Sequence, residues 1–539
     1  MRYFFIFLLV FFSVLIFGQN MVIDWDKCLG GSTSSSYSDH IDVLPNGNIV
    51  GSIYAYQNHS AFTNYHGGGD PWVFMLDSHG ILIKERCFGG TEYESFIDSE
   101  VFDEYIYFIG YTQSTDGDVQ SEPIGGYADL WVVKTDFDLN IIWERRYGSL
   151  GIQELHKAKV TEDGGLVLLM DFFDQGGGDV SEYYGNTDIW VCEIDADGEI
   201  LWEKTLGNAY GTFAGSVMQT QDGKTIVLGE MDISGGMVEC EGHNNDGSRD
   251  IWIVGLDETG EILWQNCLGG SHWEIGSDII QEGGGYTFLG TTLSGDGDVE
   301  GYHWAEWSGD AWLVHVDNIG NLVWQKCLGG YDVDAGGSLY KTETGGYLIF
   351  ANADSNDGDV NHSNCPDNHP HCQTNTWVVE LDADRNIIWN KTYGSAQNSS
   401  SNAAVARINE RDFIIADLIE EYDTHSGDVS CTPYPINSGK SAWIYRLYDP
   451  DTGGLSNFSF SSLKTYPNPA NNQVLIDMPK HYDKIFIDIF DVFGNRTTQL
   501  MIYAQQTQVL WDCKDISSGI YFYQTEIEGR YYKGKLIIQ

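Results

Sequence analysis

Three carboxylates follow a glycine pair at the same offset in different parts of the chain: Glu94, Glu274 and Asp334. Two carboxyl groups held roughly 5–10 Å apart can cleave a glycosidic bond. A repeated structural position, however, also produces a ring of acids that performs no chemistry. The chain contains no GxSxG elbow, HExxH motif, P-loop or dinucleotide fingerprint. If these three acids do act as catalytic residues, the protein would be a secreted hydrolase or lyase acting on polysaccharide. This function is the alternative to a non-enzymatic binding function.

A second set of acids lies in Asp-Gly-Asp-Val segments that return along the chain: Asp116, Asp118, Asp296, Asp298, Asp357 and Asp359. Carboxylate oxygens on glycine-containing loops suit calcium, and an acidic protein favours cations. The spacing differs from that of an EF-hand loop, and Asp beside Gly also forms turns through side-chain to backbone hydrogen bonds. Calcium is the cofactor that these acids suggest, and turn formation is the alternative explanation.

Aromatic residues are concentrated between residues 273 and 307, where the candidate ligand-binding residues are Trp273, Tyr302, Trp304 and Trp307. Aromatic side chains beside carboxylates suit stacking on sugar rings and hydrogen bonding to sugar hydroxyl groups. The simpler explanation is that these side chains pack beneath their own loop. If they are exposed, they predict a binding site for an extracellular polysaccharide or protein.

Cysteines occur in two patterns. Cys365 and Cys372 bound the segment CPDNHPHC, in which mixed Cys and His ligands would suit zinc. In an exported protein a local disulfide between them is the simpler expectation. Cys28, Cys87, Cys267 and Cys327 share one position of an internal repeat, and the sequence does not say which of them are bonded.

The start of the chain and the charge define the compartment and the partners. Residues 1–19 contain one basic residue and then an apolar run, which is the layout of a secretory signal. No later segment is apolar for long enough to span a bilayer, so no transmembrane anchor is expected. The formal net charge is −51, and residues 463–539 contribute none of it. Such a surface repels nucleic acid, which is therefore excluded as a partner.

A repeat of about sixty residues organises the chain before residue 450. Its marker is an apolar strand with a central tryptophan, at Trp72, Trp131, Trp190, Trp252, Trp312, Trp377 and Trp443. Each unit contains four short runs rich in Val, Ile, Trp and Tyr, separated by Gly and Asp turn signals. Four antiparallel strands per unit predict an all-β, seven-bladed β-propeller rather than a linear solenoid.

The ends of the repeat predict how the ring closes. The strand around Trp25 lacks the strand that precedes it in other units, and the strand around Trp443 lacks a follower. Pairing the two completes the seventh sheet and removes two exposed edges. Strand alternation then gathers the Gly-pair loops and the Asp-Gly-Asp-Val loops on one end of the ring, the near face. The tight turns lie on the opposite end, the far face, so a binding site is expected on the near face.

The repeat pattern resembles the seven-bladed propeller repeats of secreted bacterial proteins. The segments LKTYPNPANNQVLIDMP, IDIFDVFGN and DISSGIYFYQTEIEGRYYKGKLIIQ, all after residue 462, resemble the type A C-terminal sorting domain of the type IX secretion system. That resemblance implies a small β-sandwich, transport by the type IX machinery and a secreted or cell-surface location. The predicted domains are a signal peptide (1–19), a propeller (20–449), a linker (450–462) and a sorting domain (463–539). A non-enzymatic binding module is the favoured function, and a structural or adhesive surface protein is a further alternative.

Overall fold

The computed structural model describes residues 21–30, 40–55, 62–173, 176–232, 234–243, 248–303, 308–361, 374–395, 403–420, 427–431, 440–450, 463, 465–466, 470, 472–477, 485–491, 496–503, 506–514, 516–527 and 530–538. The predicted signal segment, most of the predicted linker and the pair Cys365 and Cys372 lie outside these residues. The chain divides into two compact units, residues 1–43 with 49–453 and residues 44–48 with 454–539. No helix among the described residues is long and apolar enough to cross a bilayer.

The described part of the first unit consists of seven four-stranded antiparallel sheets. Three of them, in order from the first strand to the fourth, are β2 (Ile41–Val43), β3 (Ile49–Ala55), β4 (Asp70–Leu76) and β5 (Leu82–Cys87); β6 (Glu94–Phe102), β7 (Tyr105–Thr112), β8 (Asp129–Asp136) and β9 (Ile141–Tyr147); and β10 (Ile152–Val160), β11 (Leu166–Phe173), β12 (Thr187–Ile194) and β13 (Ile200–Leu206).

The next three sheets repeat this order. They are β14 (Thr212–Gln219), β15 (Thr225–Met231), β16 (Asp250–Leu256) and β17 (Ile262–Leu268); β18 (Glu274–Glu282), β19 (Gly285–Thr292), β20 (Asp310–Asp317) and β21 (Leu322–Leu328); and β22 (Asp334–Lys341), β23 (Tyr347–Ala353), β24 (Asn375–Leu381) and β25 (Ile387–Tyr393). The all-β class is confirmed.

The seventh sheet joins the two ends of the repeat region. Strands β26 (Ala404–Asn409), β27 (Asp412–Glu420) and β28 (Lys440–Tyr448) come from the end, and β1 (Val22–Leu29) comes from the start. Strand β1 pairs antiparallel with β28, with Cys28 opposite Trp443. This is the pairing that the sequence predicts, and it gives the first unit a closed ring.

The first strand of each sheet lines the axis of the ring, where it contacts the first strand of the next sheet. Hydrogen bonds join neighbouring sheets there: the Ala158 amide donates to Asp98 at 2.9 Å, the Leu339 amide donates to Asp278 at 2.9 Å, and the Tyr340 hydroxyl donates to the Val405 carbonyl at 3.0 Å. Six of these inner strands also carry a register shift, at Ile97, His156, Gly215, Ser277, Gly337 and Ile408. Such bulges re-aim side chains, so the inner wall is not a plain repeat of alternating residues.

The marker tryptophans lie in the third strand of each sheet and are buried. In six sheets the indole Nε1 donates to a polar side chain of the fourth strand thirteen residues later, from 2.5 Å for Trp72 and Glu85 to 3.1 Å for Trp377 and Asn390. In the seventh sheet Trp443 donates to Asp26 at 3.0 Å. Asp26 of β1 therefore gives Trp443 the kind of polar partner that the marker tryptophan of every other sheet has on its own fourth strand.

The two disulfides of the described residues connect equivalent parts of their sheets. Cys28 of β1 is bonded to Cys431, and Cys267 of β17 to Cys240, so each links a fourth strand to the loop that precedes the third strand. The cysteines that share a repeat position are thus not bonded to one another. In the described residues Cys87, Cys192, Cys327 and Cys513 are free and buried.

The second unit is a β-sandwich of two sheets. One sheet contains β29 (Thr465–Tyr466), β30 (Gln473–Asp477) and β33 (Gln508–Asp512), and the other contains β31 (Ile485–Asp491), β32 (Arg496–Ile502), β34 (Gly519–Ile527) and β35 (Arg530–Ile538). Both sheets contribute to one apolar core, which includes Val474, Ile487 and Trp511. The predicted small sandwich is confirmed.

Closure predicts an unequal effect of the two disulfides. We expect the double variant Cys28→Ser/Cys431→Ser to lower the free energy of unfolding by about 2–5 kcal/mol. Its bond closes 403 residues, whereas Cys240–Cys267 closes 27, so the unfolded chain gains more conformational entropy when the first bond is removed. Equilibrium denaturation of both double-serine variants measures the difference. An equal or smaller loss for Cys28→Ser/Cys431→Ser would show that the disulfide does not hold the ring closed.

Candidate functional site

The near-face loops are tied to one another by a repeated pair of hydrogen bonds, one between backbone groups and one from a backbone amide to an aspartate side chain. The Asp118 amide donates to the Gly89 carbonyl at 2.8 Å, and the Gly89 amide donates back to the Asp118 carboxylate at 3.3 Å. The same pair of bonds joins Asp179 to Gly148, Asp298 to Gly269 and Asp428 to Gly394. In these four sheets the loop that carries the aspartate therefore fastens the glycine-containing loop beside it, which ties together the described part of the near face.

The candidate calcium ligands are engaged in this fastening. Asp116, Asp296 and Asp357 accept backbone amides of the adjacent Gly-pair loop at 2.7–2.8 Å. Asp118 pairs in addition with Arg86 at 2.7 Å, and Asp359 lies 3.8 Å from the imidazole of His303. Among the described residues no three His, Cys, Asp or Glu side chains are grouped to hold a metal ion. The turn explanation accounts for the observed bonds, and calcium binding stays a prediction.

The candidate catalytic acids are the first residues of inner strands β6, β18 and β22, and all three side chains are fully buried. Glu94 and Glu274 each accept the amide of the second glycine of their own loop, at 2.8 and 3.0 Å, and Asp334 does the same at 2.7 Å. Threonine hydroxyls, of Thr112 and Thr292, donate to the other oxygens of Glu94 and Glu274. Each acid thus closes its own loop, and the structure groups none of them with another of the three.

Burial sets the proton affinity of these acids. It raises the pKa of Glu274 to about 8 and that of Asp334 to about 7, and the neighbouring carboxyls of Asp250 and Asp310 add to the shift. In the third sheet Gln153 occupies the equivalent position, with its Oε1 accepting the Ser149 amide at 2.8 Å and its Nε2 donating to the Ala128 carbonyl at 2.8 Å. A neutral amide in one copy indicates that the position requires hydrogen bonds rather than a charge.

The candidate ligand-binding aromatics are placed differently from one another. Trp273 is 44 % exposed on the near face. Tyr302 is half-buried, and its hydroxyl donates to the Ser308 carbonyl at 2.5 Å, which anchors its own loop. Trp304 and Trp307 lie outside the described residues.

Exposed side chains of the second to the sixth sheet form a partial ring at the near-face mouth of the channel, and inspection of single residues in the sequence does not reveal it. The residue just before each buried acid, or before its equivalent, is large and exposed in four sheets: Tyr93, Ile152, Trp273 and Val333. Tyr210 and Tyr331 of neighbouring Gly-pair loops are also exposed. Alignment of the repeats could have revealed these residues. Side chains alternate along a strand, so the residue just before a buried acid points to the surface.

Below this ring the channel contains a cavity of about 480 Å³. Charged side chains from three consecutive inner strands line one side: Asp42, Asp98, Glu100, Lys157 and Lys159. Glycine, alanine and serine residues of β14, β18, β22 and the start of β26 line much of the other side. None of these charged residues was a sequence candidate, since they differ from one repeat to the next.

The pKa of Glu274 predicts a pH dependence of stability. Because the folded-state pKa of about 8 lies above the usual value of 4.5, the folded protein binds this proton more tightly, and stability is lost as pH rises from about 4.5 through 8. We expect Glu274→Gln to remove about 1–3 kcal/mol of that loss between pH 5 and pH 8.5. Urea denaturation across this range measures it, with Glu258→Gln on an exposed hairpin as the control. A Glu274→Gln variant whose stability falls with pH as steeply as the native protein would contradict this account.

Comparison with known proteins bears on the second unit. Residues 464–539 match the family model described as a secretion system C-terminal sorting domain. No curated protein matches the chain. Solved structures that resemble it include the WD40 beta propeller domain of Doa1 (8 % identity, 79 % of this chain and 97 % of that chain, TM-score 0.36) and Kuenenia stuttgartiensis Hydrazine Synthase (12 %, 60 % and 78 %, 0.35).

A third is a putative 6-phosphogluconolactonase from Bacteroides fragilis NCTC 9343 (11 % identity, 66 % of this chain and 84 % of that chain, TM-score 0.36). None of these likenesses bears on function. The match to the sorting domain agrees with the motifs after residue 462. The chain therefore carries a type IX C-terminal sorting domain, which indicates export across the outer membrane to the medium or the cell surface.

Proposed function

We propose that the first unit is a non-enzymatic binding module that recognises a polysaccharide through the near face. The observation that carries the proposal is the ring of exposed apolar and aromatic side chains at the channel mouth, with Trp273 as its largest member. Exposed aromatic side chains on a rigid rim suit stacking against sugar rings, because their apolar faces are already oriented before the ligand arrives.

The indole of Trp273 is held in place from one side. The guanidinium of Arg249 lies 5.2 Å from the Trp273 ring centroid and 3.3 Å from that of Phe213. Arg249 is itself oriented by Asp232 at 3.1 Å and Glu230 at 3.4 Å. A ring supported in this way keeps its remaining surface available and loses little entropy on binding.

Charge narrows the class of polysaccharide. The chain carries a formal net charge of −51, and the basic side chains Arg86 and Arg249 of the near face are paired with carboxylates. An anionic polymer would be repelled by such a surface, so we favour a neutral polysaccharide. Glu94, Glu274 and Asp334 are buried and bonded to their own loops, so this proposal gives them no chemical role.

Replacement of the aromatic platform tests the proposal. We expect Trp273→Ala to weaken binding of the mature protein to neutral polysaccharides by about five- to thirtyfold, because stacking contributes about 1–2 kcal/mol. A glycan array followed by affinity electrophoresis measures it. Ile319→Ala is the matched control, since Ile319 is a large exposed apolar residue of a far-face turn.

Two results would contradict the proposal. One is an array with no binding to any neutral glycan. The other is glycan binding that Trp273→Ala and Ile319→Ala leave equally intact. Capture of a peptide or protein ligand that is lost in Trp273→Ala, with no glycan bound, would instead assign the near face to a protein partner.

A further inference from the structure

The channel cavity has an asymmetric wall. Its charged side chains come from β2, β6 and β10, whereas β18 and β22 present Gly276, Gly336 and Gly337. Because these glycines have no side chains, they leave open space in the channel, and the charged side chains of the opposite wall border that space. A cavity of about 480 Å³ is large enough for a small organic molecule with a few waters.

Most of the charges in this wall already have partners. The Lys159 ammonium donates to Glu100 at 2.7 Å. Asp98 accepts the Ser99 amide at 3.0 Å and the Ala158 amide at 2.9 Å, one on each carboxylate oxygen. These three side chains are therefore part of the ring structure, and they are not free for a ligand.

Two groups in the wall retain free bonding capacity. Asp42 accepts the Ser99 hydroxyl on Oδ2, and among the described residues no hydrogen bond reaches its Oδ1. The Lys157 ammonium makes no hydrogen bond to any residue in the described part of the chain. Its nearest carboxylate oxygen there is Asp98 Oδ2, which lies 3.7 Å away and already accepts a backbone amide.

These two groups do not neutralise each other, because no ion pair joins Asp42 to Lys157 in the described residues. Burial and the nearby Glu100 carboxylate raise the pKa of Asp42 to about 7, although the positive charge of Lys159, whose ammonium donates to Glu100, opposes part of the shift. The cavity thus borders one carboxylate and one ammonium, both incompletely bonded and set apart from each other.

We propose that the channel binds a small zwitterion, with the ligand's ammonium on Asp42 and its carboxylate on Lys157. A simple cation would leave Lys157 with only the Asp98 carboxylate, 3.7 Å away, and would be repelled by the ammonium. A simple anion would meet Asp42, Asp98 and Glu100 on the same wall. A compound with both charges matches both free groups, and this site is separate from the aromatic ring of the near face.

A series of ω-amino acids tests the proposal because it varies the distance between the two charges. The probes are glycine, β-alanine and 4-aminobutanoate, with ethylamine and acetate as single-charge controls, titrated by calorimetry into the mature protein at pH 8. At this pH the Asp42 carboxyl, with a pKa of about 7, is ionised. We expect at least one zwitterion to bind with a Kd of about 1 mM or lower, and each single-charge probe to bind at least about tenfold more weakly.

Variants identify the two ends of the site. Asp42→Asn and Lys157→Met should each weaken zwitterion binding by about tenfold or more. Lys341→Met is the matched control, since its side chain is 37 % exposed against 33 % for Lys157 and its partner is Glu282. Thermal unfolding of each variant shows whether the first unit is still folded. If Asp42→Asn does not fold, zwitterion binding by Lys157→Met alone tests the proposal.

Three outcomes would overturn the proposal. These are the absence of binding by every zwitterion, equal binding of ethylamine or acetate, and zwitterion binding that survives Lys157→Met. Because Trp273 is not required, failure of the glycan experiment leaves this test valid, and the converse also holds.

Discussion

The hydrogen bonds between β1 and β28 are the interaction on which the first unit depends. Without β1 the last sheet would have three strands, an exposed edge and a marker tryptophan, Trp443, whose indole lacks the partner Asp26. Closure is reinforced by the Cys28–Cys431 bond and by the Tyr393 hydroxyl, which donates to the Met21 carbonyl at 2.6 Å. A short segment just after the predicted signal therefore holds together sheets that extend over more than four hundred residues.

Part of the acidic composition has a structural role in the first unit. Carboxylates of the near face accept backbone amides of adjacent loops, as Asp118 does from Gly89 and Asp116 from Thr91. Loops without regular secondary structure contain many unpaired amides, and carboxylates satisfy them more strongly than neutral groups do. Much of the near-face charge thus stiffens the surface that we propose to bind ligand. The same rigidity provides the fixed platform on which Trp273 rests.

The sequence predicts the architecture well because the repeat constrains it. The marker tryptophans, the turn signals and the missing strands at the two ends leave a closed ring as the consistent solution, and β1 pairs as expected. The sorting domain is equally readable, because its turns and strands follow a fixed order.

The site was less predictable. The position of Glu274 after the glycine pair suggests catalysis, but the sequence position does not show that packing buries the side chain. The one hint of a structural role in the sequence is Gln153, a neutral residue at the equivalent position of another repeat. The channel groups Asp42 and Lys157 were missed for the opposite reason. They differ between repeats, and bulges such as that at His156 shift which side chains reach the axis. Trp304 and Trp307 lie beyond the described part of the chain, and their predicted role stays a prediction.

Native-state amide hydrogen exchange of β1 tests the central claim most directly. If β1 closes the ring, those amides of residues 22–29 that are hydrogen-bonded to β28 will exchange as slowly as the amides of β27 and β28, because the three strands open together. Amides of residues 22–29 that exchange as fast as an unstructured terminus, while β27 and β28 remain protected, would contradict a closed ring.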